Sequence, residues 1–595
     1  MADRVAILGG GIAGLSTAHH LALAGIDGLH VYEASDRAGG KAKSQFIPTP
    51  AGTSYPGEHG FRFFPHFYRH VVDTMATTPA GTGSVLDRLV ASSDAGIAYD
   101  HKMLDIPRPR DFVESLRFVP TIVDILKDRD LGMEDTLRYA GVLLQFATSC
   151  RKRREQKYDT IPWFDFARAK TYAPRFLDLV IKASRNLSAM RAKETSAATI
   201  GAISLQMIFD FEPLARRKKD PLLCGPTDET WLRPWYDHLC ARGVEFDFEK
   251  TLVGFDFDAR RGRLRGARFE GGEVVEADHY VLAVPLDCAA KLLSDEMRAF
   301  DAALENVRTL APIAHGDMVG LQFFLSRDVP IVHGHVHYPQ TAFALTSVSQ
   351  AQFWATRPDE RPGTPELHGI ISAIISDWET PGTEGIPAKA YVDRGKLLDE
   401  VWRQMAASLP PGTLRPGDRI TSHLDSNVTL NPLHNGTPLL IHPPGQLALR
   451  PDAETAIENL FLASDYVRTN TDLATMEGAD EAARRAVRGI LAREGLDEHL
   501  YPFVESFPEG AVFDGAKRVD EALFALNLPH PMEVTASVID EVQRFGDRHS
   551  ILRGAFNAML PLRYVAGRLG DLHPFDFARP DPDLLGCWES VLRRL

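Results

Sequence analysis

The stretch Val5 to Lys41 reads VAILGGGIAGLSTAHHLALAGIDGLHVYEASDRAGGK. Its first residues, Val5, Ala6, Ile7 and Leu8, form an apolar run that predicts a buried strand. Gly9, Gly11 and Gly14 then complete a G-x-G-x-x-G spacing. In a dinucleotide site the first glycine permits a tight turn and the second lets the backbone approach a pyrophosphate. The third lets the following helix pack closely on the strand. Ile12 and Ala13 open that helix, whose N-terminus offers free N–H groups and a favourable dipole to phosphate. Leu15, Ala18 and Leu21 share one helical stripe facing the sheet. A second strand ends in Glu33, about 20 residues past the glycines, where a carboxylate accepts ribose hydroxyls. Ala34, Arg37, Gly39, Gly40 and Lys41 follow at once.

Composition narrows the class. A chain of 595 residues is long enough for two or three domains. Its apolar share of 44% and charged share of 25% are those of ordinary soluble proteins. A net charge of -14 argues against a nucleic-acid partner. Cys150, Cys224, Cys240, Cys288 and Cys587 lack C-x-x-C spacing, which argues against a zinc site or disulfide framework. No signal-peptide pattern precedes the first strand, and no apolar run nears the roughly 20 residues a bilayer requires. The expected location is cytoplasmic, with peripheral membrane contact left open.

Further along, the pattern is read as mostly helical from Ser84 to Leu223, with helical apolar spacing at Phe112 to Leu126 and Glu134 to Phe146. The basic run Arg151, Lys152, Arg153, Arg154 and Lys157 reads as a solvated helix end or as a contact with anionic lipid. From 244 to 285 the period becomes two, with turns at Arg261-Gly262 and Gly271-Gly272, as in an antiparallel meander. It ends in the buried-looking strand Tyr280 to Pro285. Val319 to Leu325 and Gly369 to Ile375 read as strands, Arg394 to Leu409 as a helix, and residues 411 to 450 as extended chain. Amphipathic patterns recur at Val534 to Phe545 and Asp583 to Leu595.

Several segments together carry a family resemblance. The run from Glu33 through Arg37, Gly39, Gly40 and Lys41 resembles flavoproteins of the two-dinucleotide-binding-domain type. Asn459 to Tyr466, NLFLASDY, followed by Ala474 to Ala479, ATMEGA, resembles the carboxy-terminal signature of phytoene and carotene desaturases within the flavin amine oxidase superfamily. Gly225 to Val244 with Thr251-Leu252-Val253, Tyr280 to Pro285, and Gly57 to Phe64 (GEHGFRFF) are similar to other segments of that family.

The resemblance implies FAD rather than NAD. It places Gly39 and Gly40 near the flavin and its phosphates, with Arg37 and Lys41 among the cofactor-binding residues, Val253 beside adenine, and Asp465 at the ribityl–pyrophosphate region. Thr475, Met476, Gly478 and Ala479 would lie beside the isoalloxazine. The implied fold is α/β, with a Rossmann-like FAD domain, an inserted mixed α+β substrate domain and a helical C-terminal extension. The FAD domain would take residues 1–75, 225–300 and 430–497. The substrate domain would take 76–224 (mainly helical) and 301–429, and the extension 498–595. Ser464 stands where the family has Gly, and Ala482-Ala483 where it has Ser-Gly. Thr230 stands where desaturases place an Arg, and Arg233 follows three residues later. That puts a desaturase-specific role for this Arg in doubt.

FAD accepts a hydride and passes electrons on. His59 and Arg62 are the candidate catalytic residues, to orient substrate or flavin or to move a proton. Phe61, Phe63, Phe64 and Tyr68, with Phe67, form an aromatic cluster that reads as a substrate wall or as core. The expected activity is oxidation or desaturation of an apolar isoprenoid- or lipid-like substrate, with a quinone or O2 as acceptor. Three alternatives stay open: a flavin amine oxidase, a redox-neutral isomerase or dehydroxylase, and a non-catalytic flavin-binding scaffold. No pattern in the sequence specifies an oligomeric state.

Overall fold

The apolar run after Asp3 becomes the middle of a five-stranded parallel sheet. Its strands, in order, are Glu245–Asp247, Leu29–Tyr32, Asp3–Leu8, Ala277–Leu282 and Leu460–Leu462. All neighbours run parallel, and Leu8 registers with Tyr32 on one side and Leu282 on the other. A parallel sheet is covered on both faces, so its central strands run apolar rather than alternating. Val5 to Leu8, Val281 to Leu282 and Leu460 to Leu462 are buried accordingly. The helix Ile12–Leu23 is buried from Ile12 to Leu21 and packs against the helix Met476–Arg493. The structure is a computed structural model and describes residues 3–49, 52–107, 132–181, 190–209, 220–316, 318–500 and 513–533. The spacings at Phe112 to Leu126, Val534 to Phe545 and Asp583 to Leu595, and Cys587, lie outside those residues.

A second, seven-stranded sheet runs Arg419–Leu424, Val319–Leu325, Gly369–Ile375, Thr346–Ser349, Gly334–His337, Asp94–Tyr99, Lys102–Pro107. Here alternation sorts the two faces. Val319, Leu321, Phe323 and Leu325 share a core with Leu397, Val401, Trp402 and Met405 of the helix Arg394–Ser408. Phe324 and Ile370, from the other face, share a core with Tyr55, Ile47, Phe61 and Phe63. The chain between residues 44 and 64 is therefore laid against this second face.

The helical reading of Ser84 to Leu223 needs correction at its start. Asp94–Tyr99 and Lys102–Pro107 pair as an antiparallel hairpin at the edge of the large sheet. Their turn residues, Asp100 and His101, have φ of 48° and 59°. A left-handed turn without Gly or Asn carries little sequence signal. Helices do follow, at Met133–Thr148 and Ala197–Phe209. The meander is confined to Leu252–Asp258, Arg263–Phe269 and Val274–Val275, after which the chain returns to the parallel sheet.

The fold is thus an α/β cofactor domain with an inserted mixed domain and a helical extension. By packing, the chain separates into residues 1–521 and 522–595. Of the second unit, the described residues complete the helix Asp514–Ala525 and expose Leu526 and Leu528. The basic run is split between surface and core: Arg151 and Lys152 are exposed, whereas Arg153 is not. Arg153 is buried against Asp520, Lys152 pairs with Glu521 and Arg151 with Glu155, and Arg154 lies over the Phe146 ring. Among the described residues no helix is long and apolar enough to cross a membrane.

Candidate cofactor site

The five parallel strands end together, and Gly9, Glu33, Ala283 and Ala463 lie just beyond them. That crevice is where open α/β sheets take their ligands. Two of the loop glycines are required by the chain itself. A Cβ at Gly14 would sit 1.9 Å from the Gly9 carbonyl oxygen, and one at Gly9 would sit 2.4 Å from the Ala283 carbonyl. Gly11 differs. It has φ −75° and ψ −173°, which any residue adopts. A Cβ there would meet nothing nearer than Gly40 Cα, at 3.8 Å. The chain itself therefore does not require glycine at position 11. The helix it precedes has no side-chain cap and no acid in its first turn, so its leading N–H groups suit a phosphate.

Gly39 and Gly40 close over this loop. Gly39 N–H donates to the Gly10 carbonyl at 2.7 Å, and Gly40 approaches Gly11 so closely that a Cβ would be 2.9 Å from its Cα. Glu33 stands beside them. Its carboxylate accepts from Gly10 N–H (2.7 Å), Ser35 N–H (2.9 Å) and Ser35 Oγ (2.6 Å). A carboxylate has about four acceptor positions, so these three donors do not fill it. Ala34 is exposed. Lys250 N–H donates to the Glu33 carbonyl, which brings the exposed Val253 to the same end of the sheet.

Two basic residues point elsewhere. Arg37 bonds Asp228 (3.2 Å) and the Ser44 carbonyl (2.6 Å), while Lys41 Nζ bonds the Pro438 carbonyl. In this structure they tie loops together rather than face the glycines, because backbone carbonyls and Asp228 lie within their reach. Arg233 pairs with Asp237 at the surface, whereas Thr230 Oγ1 donates to the Pro226 carbonyl.

The carboxy-terminal half of the site is a loop held from behind. Arg450 is buried; it donates to the carbonyls of Tyr466 and Val467 and pairs with Asp472. The Asp465 carboxylate accepts from Ser464 Oγ at 3.3 Å, and its backbone carbonyl accepts from Arg450. Thr475 caps the helix Met476–Arg493 by accepting from Gly478 N–H at 3.2 Å. Met476 and Ala479 pack against the core of the parallel sheet. Ala474 N–H donates to His442 Nε2 at 3.2 Å; burial pushes that imidazole down to about 4.

Sequence reasoning missed three buried acids on this helix. Glu477 accepts from the N–H groups of Arg69, His70 and Val71. It thereby caps the helix His70–Thr77. Asp480 accepts from Ser16 Oγ and Thr74 Oγ1 and pairs with Arg484. Burial would raise its carboxyl, but Arg484 and His20 hold it well below the usual range. Glu481 accepts from Asn470 and Thr471 N–H. The signal was an acid-rich helix, M-E-G-A-D-E, that is almost wholly buried.

The segment Gly57 to Tyr68 divides between two cores. Phe64, Phe67 and Tyr68 belong to the parallel-sheet core, with the Phe64 ring edge-on to Trp231. Phe64 is wholly buried in that core. Tyr68 is bonded to Thr475, and burial raises its hydroxyl. Phe61 and Phe63 are half-buried and lean on His335 of the large sheet. Arg62 donates to the Gly60 carbonyl (2.6 Å) and the Lys41 carbonyl (2.9 Å). It is a strut between this segment and the second glycine pair. Burial lowers its guanidinium, opposed by Glu58, Asp228 and Asp425. His59 Nδ1 pairs with Asp425, and the His59 carbonyl lies over Gly320 of the large sheet.

A family model described as flavin containing amine oxidoreductase matches residues 12–491. A 15-cis-phytoene desaturase of Synechococcus elongatus is 25% identical over 499 residues, covering 82% of this chain and 96% of that protein. An oxidoreductase structure from Methanosarcina mazei superposes with a TM-score of 0.54 at 13% identity, covering 81% of this chain and 98% of its own. A cyclohexylamine oxidase from Brevibacterium oxydans gives 0.53 at 14% identity, covering 83% and 100%. At such identities the solved structures establish the fold alone.

Proposed function

The chain belongs to the flavin containing amine oxidoreductases, and on that premise we propose that it desaturates an apolar isoprenoid chain. The observation that carries the substrate class is the 25% identity, sustained over 499 residues, with a protein named for phytoene desaturation. Half-buried Phe61 and Phe63 beside the cofactor loops suit an apolar chain.

FAD is the cofactor, and it supplies a two-electron acceptor for hydride. We assign its pyrophosphate to the open backbone at Gly11, Ile12 and Ala13, and its ribose to the remaining acceptor position of Glu33. Gly39 and Gly40 cover the phosphates. Val253 backs the adenine, and Asp465 and the Thr475 to Ala479 turn take the ribityl and ring end. Arg450 holds the Asp465 loop in place by its carbonyls. The apolar rings of this segment keep water from the reacting carbon.

The test is anaerobic mixing of the flavin-loaded chain with a linear polyene precursor, or with primary amines, followed by absorbance of the flavin. Bleaching by the polyene, with a product whose conjugation is longer by one double bond, is expected. Bleaching by amines alone would replace this reading with amine oxidation.

A further inference from the structure

His59 sits where the two halves of the molecule meet. Its carbonyl lies so near Gly320 of the large sheet that a Cβ there would be 2.1 Å from it. Three residues on, Arg62 donates to the Lys41 carbonyl, and Gly40, next to Lys41, touches Gly11 of the nucleotide loop. A side chain at position 59 is thus fixed between the cofactor loops and the sheet that carries Phe324 and Ile370.

Its imidazole is held by a built partner. Asp425 follows the edge strand Arg419–Leu424, is 1% exposed, and contacts His59 Nδ1 through Oδ2. The other oxygen, Oδ1, accepts from Gln45 Nε2 (2.7 Å), Asn427 N–H (2.9 Å) and Asn427 Nδ2 (3.1 Å). Those three donors fix the carboxylate in place. Burial would raise it, but His59 and these bonds hold it below the ordinary range. A carboxylate on Nδ1 keeps the proton there and leaves the lone pair on Nε2. Nε2 bonds none of the described residues, and the ring is 18% exposed while its partner is not.

We propose that His59 Nε2 is the proton acceptor of the oxidation and that Asp425 is its positioning residue. The proposal rests on the desaturation reading above. Forming a C=C bond removes two hydrogens from neighbouring carbons. One leaves as hydride, with its electron pair, to the bound flavin, which is thereby reduced by two electrons. The other leaves as a proton to His59 Nε2, and its C–H electron pair becomes the new π bond. The imidazolium that results is stabilised by Asp425. Other charges near the pair are Arg62, Glu58 and Asp228 on the cofactor side, and His423 and Arg394 on the far side. His423 reaches Asp425 through Gln45, whose Oε1 lies 2.7 Å from His423 Nε2.

The experiment uses full-length, flavin-loaded protein and the variants His59→Gln, Asp425→Asn and Asp425→Glu. Single-turnover flavin reduction by the polyene is followed against pH, with thermal melts and flavin content as controls. Expected are a fall of about 10²-fold or more in His59→Gln and a comparable fall in Asp425→Asn. In Asp425→Asn the pH midpoint of reduction should also move, and Asp425→Glu should recover part of the rate. Independently of turnover, ¹⁵N-histidine spectra should show the Nδ1–H tautomer for His59, shifting toward Nε2–H in Asp425→Asn. A wild-type rate in a folded His59→Gln protein overturns the proposal. So does Asp425→Asn with an unmoved midpoint and tautomer. If no polyene reduces the wild-type flavin, the desaturation reading fails first; an Nδ1–H tautomer would then leave the pair as geometry without this role.

Discussion

The two sheets of this molecule are built on opposite principles. In the parallel sheet every strand delivers its next residue to one crevice, so Gly9, Glu33, Ala283 and Ala463 meet through topology alone. In the seven-stranded sheet alternation separates the faces, and what it offers the site is a surface on which the Gly57 to Phe64 segment is laid. The first makes its site by where strands end. The second makes its contribution by what is laid across it. The lesson is that close backbone contact serves both, through Gly14 in one and Gly320 in the other.

Alanine at either glycine is therefore expected to give the largest effect. Gly14→Ala and Gly320→Ala each push a Cβ into a backbone oxygen, at 1.9 Å and 2.1 Å. Each should cost more than about 4 kcal/mol, read as lost soluble yield or a collapsed melting transition. A normal melt for one of them would show that only the other sheet depends on such contact. Next in size, Phe64→Ala should cost about 3–5 kcal/mol in denaturant unfolding. Phe63→Ala, half-buried at the other sheet, should cost under about half of that and act on polyene handling instead. Equal costs would erase the division of the aromatic segment. Third, Gly11→Ala should leave the melting of the flavin-free chain unchanged while weakening FAD retention about 100-fold, a loss of about 2.7 kcal/mol. Retained FAD would mean that the gap at Gly11 is not the pyrophosphate seat.

The smallest effect is a pH slope. His19, on the helix covering the parallel sheet, is pushed down to about 2, first by burial and then by His20 and His238. Its folded value lies below its unfolded 6.5. The stability tied to its neutral form is fully present above that pH and is lost as pH falls toward 2. The loss is about 2 kcal/mol by roughly pH 5. Denaturant midpoints of His19→Gln should fall less steeply than wild type between these values. An unchanged slope would place the titration elsewhere.

What could be read from the sequence follows the same split. The glycine loop, its helix and the two strands around it were legible because each rests on a rule local to a few residues. The end of Arg394–Ser408 and the strands Val319–Leu325 and Gly369–Ile375 were legible from periodicity. The hairpin at Asp100-His101 was not, because its left-handed turn lacks the Gly that normally follows Asp in such turns. Nor could local sequence say that Phe64 turns into one core and Phe63 into another, since adjacent residues of an irregular segment have no fixed period. Arg37 and Lys41 read as cofactor-binding residues; in the fold Arg37 bonds Asp228 and Lys41 the Pro438 carbonyl, partners remote in sequence. Asp425 was invisible for the same reason: only folding brings it to His59.

The acids of the helix Met476–Arg493 have a consequence for how the protein is made. Ser16, beside the nucleotide loop, meets Asp480 only after 464 further residues exist, and the helix at His70 has to wait for Glu477. At about 5–20 residues per second of synthesis that is a delay of roughly 20–90 s. The glycine loop leaves the ribosome well before the acids that complete its surroundings, so loading with flavin waits for the helix Met476–Arg493.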